Sequence, residues 1–500
     1  MKGNPMTKGS APTVDREGGV GYLGLVGLVV SSCIGSGVFA LTGQLANVAS
    51  PGAALVAWVL CGLGFLFLAL SLANLGARRP DADGVVAYAE EGFGKFAGFV
   101  SGWGYWLSAW LGNVGFATMV AQTLGSDYCL GAVLPGVFSS PETGNPALVG
   151  VIVVSLALWA LTFLVINGVE GAAGLNAVVM IVKVASILLF ILFVAMAFNV
   201  VAFSGDFWGT AERNATIIAS GAEGGLGGVS SQVTNCILIM MWVFIGIEGA
   251  SVMSKRAKRR SEVGSATVVG LVVLLVLYIG ASVLPYGVMP YEELVAAPKP
   301  ATISVFEAIA PGWGGAFISW AIIVSVLGSW LSFTMLPAEC SSMMADHGLL
   351  PASWDKRNAK NSPQLSLVIV GACTQAFVIV ATYAADAYTF AISMCTVTIV
   401  VTWAFAAAYQ VKYSAREKSY GQLVIGLLAL VFQVVGVLFT GWGFLLLACL
   451  GYIPGMYFYA KARREDGSTV TRGEWMVFAV IATLGIASIP LTAVGIIPVF

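Results

Sequence analysis

The sequence is poor in charge. Asp, Glu, Lys and Arg make up 10% of its 500 residues, against roughly 25% in soluble globular domains, so a water-soluble domain is excluded. Histidine occurs once, at His347. That removes most zinc sites and histidine-based catalytic schemes, and neither a metal nor a cofactor is expected. Of the eight cysteines, only Cys129 falls in a predicted outer loop, where it has no partner, so no disulfide framework is expected. Residues 1–19 are polar, and the first apolar run is too long for a signal h-region, so they are expected to remain as an N-terminal tail.

What the chain has in abundance is apolar length. It is 58% hydrophobic with mean hydropathy +0.90, and runs of about 20 apolar residues, each enough to cross a bilayer, recur throughout. Thirteen membrane helices are expected, at about 20–41, 53–76, 95–123, 147–166, 172–203, 231–253, 264–287, 312–335, 365–384, 387–411, 421–441, 443–461 and 475–497. The last could instead lie on the membrane surface, because Pro490 and Pro498 interrupt it. With the N-terminus cytoplasmic, 21 of the 24 basic residues fall on the cytoplasmic side; the opposite orientation would reverse this bias. Only Arg213 and Lys299 lie outside, and Lys183 falls within the membrane. The basic run Lys255–Arg260 reads as a topology determinant more readily than as a nucleic-acid or lipid-headgroup patch, and no nucleic-acid partner is expected.

Two helices carry glycine where a membrane helix should be most regular. The first run contains Ser31-Ser32-Cys33-Ile34-Gly35-Ser36-Gly37-Val38-Phe39. The sixth contains Trp242-Val243-Phe244-Ile245-Gly246-Ile247-Glu248. Small residues can simply let helices pack closely. A break, however, leaves backbone N–H and C=O groups unpaired, which hydrocarbon tolerates only around a protein-enclosed cavity. Glu248 adds a carboxylate at membrane depth, a functional candidate by default. The glycines open two blocks of five helices, 20–203 and 231–411. Five helices reverse the topology, so the second block is expected to be inverted. Paired breaks in inverted halves are the pattern of a transporter's binding site. Helices 421–461 and 475–497 would follow as additions to this core.

These motifs resemble the amino acid–polyamine–organocation transporters, and within them the basic amino acid/polyamine antiporters of arginine/ornithine type. Beside the two glycine motifs, the likeness is carried by Tyr105-Trp106-Leu107-Ser108-Ala109-Trp110-Leu111-Gly112-Asn113 and Ala345-Asp346-His347-Gly348-Leu349-Leu350-Pro351, and it covers roughly residues 18–460. It implies an all-α integral membrane protein of about thirteen helices, with a 5+5 inverted-repeat, leucine-transporter-like core whose helices 1 and 6 are discontinuous. It also implies exchange of one cationic amino acid for a related cationic amino acid or amine, arginine for ornithine foremost, across the cell membrane by alternating access. A proton-coupled amino-acid symporter is the alternative, and Lys183 is the reason. An enzyme is not expected, for want of a clustered nucleophile or acid–base pair. A homodimer is left open.

By the same resemblance, Ser36 and Gly37 would bind the substrate carboxylate, and carbonyls near Cys33, Trp242 and Ile245 would take its α-ammonium. Trp242 and Trp330 would cover the substrate and clamp its cationic end, with Trp110 a further candidate. Ser108, the Ala109 carbonyl and Asn113 would bind the distal nitrogen, and Phe116 would shape the pocket. Tyr105 and Glu248 would form the inner gate, together with a helix-10 residue that the motif does not place; Trp403 is nearby. Lys183 lies about 16 Å along its helix at 1.5 Å per residue, too deep to snorkel easily. By resemblance it would stand in for a sodium ion linking helices 1 and 8.

Overall fold

The computed structural model describes residues 21–79, 82, 84–168, 172–209, 226–248, 258–259, 262–439 and 442–497. The N-terminal tail, Arg213, most of the basic run Lys255–Arg260 and the last residues of the sixth apolar run, 249–253, lie outside the described residues. Among the described residues the chain is all helix, with one isolated bridge between Ser139 and Pro146.

The helices follow the apolar runs. In chain order they are α1 (Tyr22–Cys33), α2 (Gly37–Ala46), α3 (Pro51–Arg78), α4 (Gly84–Phe93), α5 (Lys95–Leu124), α6 (Leu148–Ile166), α7 (Ala172–Ala197), α8 (Val200–Ser204), α9 (Val229–Val243) and α10 (Val263–Val283). Beyond them come α11 (Tyr291–Ala296), α12 (Thr302–Ile309), α13 (Gly314–Asp346), α14 (Gln364–Ala381), α15 (Ala387–Arg416), α16 (Tyr420–Phe439), α17 (Trp442–Glu465) and α18 (Arg472–Ala493). Local chemistry sets several boundaries. Pro51 occupies the first turn of α3, where its missing N–H costs nothing. Asp386 accepts from the Thr389 N–H to cap α15. Thr471 and Glu474 close a reciprocal capping box on α18.

Among the described residues ten helices are long and apolar enough to cross a membrane, eleven if the bent pair α1/α2 is one span. This is fewer than the thirteen expected. α5 has 30 residues, but its glycines, indoles and Asn113 make it less apolar, and the described part of α9 has only 15. The fifth run is also shorter than expected: α7 stops at Ala197, and Asn199 caps the separate α8. Conversely, α13 runs 33 residues, through Pro337 to Asp346, well past the expected end at 335. α18 is continuous through Pro490.

The centre of the molecule is α5, against which α13 and α15 both pack, and α15 packs in turn on α3. α18 and α16 lie at the periphery, where 17% and 22% of the apolar stretch is buried. Their outward Val480, Ile486 and Leu438 are exposed apolar side chains, as a lipid-facing surface requires. Ion pairs mark the two ends of the bundle. At one, Lys299 meets Asp386 at 2.6 Å. At the other, His347 meets Glu90 at 2.8 Å and Lys95 meets Asp466 at 3.1 Å.

Candidate substrate site

The first helix breaks where its glycines fall. α1 ends at Cys33, Ile34 is extended, and α2 starts at Gly37 with its axis turned by 49°. The first N–H groups of α2, from Gly37 and Val38, therefore belong to a helix start, where no intrahelical acceptor exists. Such a start suits an anion. The sixth run breaks too: α9 stops at Val243, and Phe244–Glu248 turn through Gly246 at φ 107°. Only glycine fits there. A Cβ on Gly246 would sit 2.7 Å from the Ser32 carbonyl oxygen.

The two breaks are thus pressed together. Ser32 Oγ donates to the Gly246 carbonyl at 2.9 Å, and Cys33 Sγ to that of Phe244 at 3.8 Å. Between them lies a cavity of about 10 Å³, which is one water's worth. Ser32, Cys33, Gly35 and Gly37 line it from the first break, Trp242, Val243 and Ile245 from the second, and Phe116 and Phe333 close it. Phe116 stands edge-on to Phe333 with centroids 5.2 Å apart and lies 6.2 Å from Trp242. Three aromatic rings around one small space offer π-faces to a cation.

Sequence reasoning did not single out Phe333, although its neighbourhood explains it. Pro337 sits inside α13; lacking an N–H, it leaves the carbonyl four residues earlier without its helical donor. That carbonyl is Phe333's, and Asn113 Nδ2 donates to it at 3.1 Å. Asn113 Oδ1 is left buried and without a partner, an acceptor free for a substrate N–H. Trp330 is fully buried but is not among the residues lining the cavity, so the aromatic that α13 presents there is Phe333. Trp110 likewise turns away, packing 5.0 Å from Phe377 on α14. Ser108 pairs with Cys395 at 3.1 Å, and Ala109 is buried beside it.

Lys183 is buried, and its Nζ donates to the Ser31 carbonyl on α1 at 3.1 Å. The direct tie between α13 and the break comes from Ser329, whose Oγ donates to the Ile34 carbonyl at 2.9 Å. Lys183 therefore secures the carbonyl on one side of the break, and Ser329 the one on the other.

The cavity is shut at both ends. Towards the Asp386 end, Tyr388 shares a hydrogen bond with Ser36 at 3.0 Å, and its ring and that of Trp242 converge over Gly115. Tyr388 lies in the first turn of α15, where no motif in the sequence marks it. Towards the His347 end, Trp403 Nε1 donates to Glu248 at 3.2 Å, and Tyr105 is buried within electrostatic range of the same carboxylate.

A broken helix, apposed to the turned end of a second at a small closed cavity inside an apolar bundle, marks a membrane transporter rather than an enzyme. The chain belongs to the amino acid permease family, whose pattern matches residues 20–488. It is 45% identical over 482 residues to an arginine/ornithine antiporter of Latilactobacillus sakei, covering 95% of this chain and 97% of that one. An arginine/ornithine antiporter of Pseudomonas aeruginosa is 36% identical, covering 91% and 94% of the two chains. An arginine/agmatine antiporter of Chlamydia caviae is 33% identical, covering 94% and 96%.

Proposed function

We propose that the chain is a cell-membrane antiporter that exchanges external arginine for internal ornithine, or a closely related cationic pair, by alternating access. One observation carries the reading: beside the aromatic cavity, where the donor Trp242 Nε1 is also unpaired, a buried side-chain acceptor is left free, Asn113 Oδ1. It would suit a guanidinium or ammonium, which has only donors to offer. The substrate carboxylate would sit at the start of α2, on Ser36 and Gly37, and the α-ammonium on the carbonyls near Cys33, Trp242 and Ile245. The cationic end would lie among Phe116, Trp242 and Phe333. The names of the relatives support the same substrate class. The cavity would have to widen to take an amino acid, so binding would be coupled to gate movement, as obligatory exchange demands.

In this reading the N-terminus and the His347 end are cytoplasmic, the Asp386 end is outside, and thirteen helices form a 5+5 inverted core with three additions. Tyr388 and Trp242 make the outer gate, and Tyr105, Glu248 and Trp403 the inner one. Arginine and ornithine each carry one net positive charge, so one-for-one exchange moves no charge. A symporter carrying arginine with a proton would move two, each worth about 2.3 kcal/mol per 100 mV. Arginine uptake into liposomes should therefore need internal ornithine or arginine and ignore an imposed potassium-diffusion potential. Robust accumulation into empty, inside-negative liposomes would overturn exchange.

A further inference from the structure

A second cavity, separate from the central one, opens at the Asp386 end. It has a volume of about 350 Å³, within the roughly 300–1,000 Å³ of small-molecule sites, where the central cavity has room for one water. Tyr388 forms part of its lining, and the same side chain bonds Ser36 at the central site. Its described charged residues are Lys299 and Asp386, paired at 2.6 Å while 52% and 29% exposed. The wider adjoining cleft shares Gln122 and Lys299 with it and adds Asp127 and Glu142, so the approach is acidic overall.

Independent of the charges, a buried polar group faces the same space. Gln122 is 3% exposed, and its Nε2 has no partner. Gln44 Oε1, also on the cavity wall, is buried and equally unpaired. Buried amide groups are normally satisfied. Two of them left open on one wall, next to an ion pair, make a site that can accept a zwitterion's donors and acceptors.

We propose that this vestibule is a second binding site for a cationic amino acid, in which the substrate's cationic end displaces Lys299 from Asp386 before the substrate passes Tyr388. The inference rests on the proposed exchange of cationic amino acids. Lys299 acts as a resident stand-in for the substrate: it keeps Asp386 neutralised until a cation arrives. An exposed ion pair is weak, so the exchange of partners costs little. Asp386 also caps α15 through Thr389; asparagine can keep that cap while losing the charge.

The test is equilibrium dialysis of radiolabelled arginine against the purified full chain, taken to millimolar concentration, with citrulline as the neutral comparison. The wild type should bind two arginines per chain, tightly and weakly, and citrulline should not compete at the weak site. D386N should keep the tight site unchanged and lose the weak one. K299Q should tighten the weak site by about threefold, the worth of one exposed ion pair. If D386N fails to give monodisperse protein, K299Q decides. One arginine per wild-type chain, or a weak site that K299Q leaves unchanged or weakens, overturns the vestibule site and leaves the exchange reading intact. No arginine bound at all overturns the exchange reading, and this inference with it.

Discussion

Gly246→Ala should separate the two helix breaks. At φ 107° a residue with a Cβ is strained by about 1–3 kcal/mol. The added carbon would lie 2.7 Å from the Ser32 oxygen and 3.2 Å from the Cys33 nitrogen. Both are backbone atoms, so no side-chain rotation relieves the clash. The breaks must move apart, and the 2.9 Å bond from Ser32 Oγ to the Gly246 carbonyl, with a net worth of about 1 kcal/mol, is lost. Together these come to about 2–4 kcal/mol, or roughly 30- to 700-fold in arginine affinity if the whole penalty falls on the binding conformation. Calorimetric titration of purified protein reads the affinity, and the melting temperature in detergent checks the fold. Gly421→Ala is the control: nothing lies within 4 Å of its added carbon, and alanine there should be neutral or slightly stabilising. Arginine affinity within threefold of wild type in Gly246→Ala would refute the claim that contact between the breaks builds the site.

Phe333→Leu keeps bulk but removes a π-face from the cavity, and arginine affinity should fall about tenfold, the 1.4 kcal/mol of one partly desolvated cation–π contact. Trp330→Leu, away from the cavity lining, should lower the melting temperature and leave affinity within a few-fold; the reverse pattern in titration would return the clamp to Trp330. Lys183→Met leaves the Ser31 carbonyl without its donor, so exchange should drop while membrane insertion persists. Wild-type uptake should survive replacement of external sodium by choline, and loss of uptake in choline would remove the sodium-substitute role. Trp403→Phe deletes the donor to Glu248 and should loosen the inner gate. Efflux of loaded ornithine into substrate-free buffer is the readout, and an unchanged leak would count against Trp403 as a gate residue.

The membrane class, the positions of nearly all the helices and the two breaks were legible in the sequence, because each rests on a property local to the chain. Twenty apolar residues must pair their own backbone to lie in hydrocarbon, and glycine in mid-span announces a break wherever it falls. Lys183 and Glu248 stood out for the same reason, as charges in stretches that otherwise exclude them. The lining of the site was not local in this way. Whether α13 turns Trp330 or Phe333 to the cavity depends on the helix's rotation against α5, about 60° being enough to exchange two residues three positions apart. The Asn113 bond to the carbonyl freed by Pro337 joins residues 220 positions apart. Tyr388 and Trp403 lie on one face of a helix that carries no break and no membrane charge, so nothing in its own sequence distinguishes them from packing residues. Only the tertiary structure brings the first against Ser36 and the second against Glu248, because a gate is a contact between distant elements.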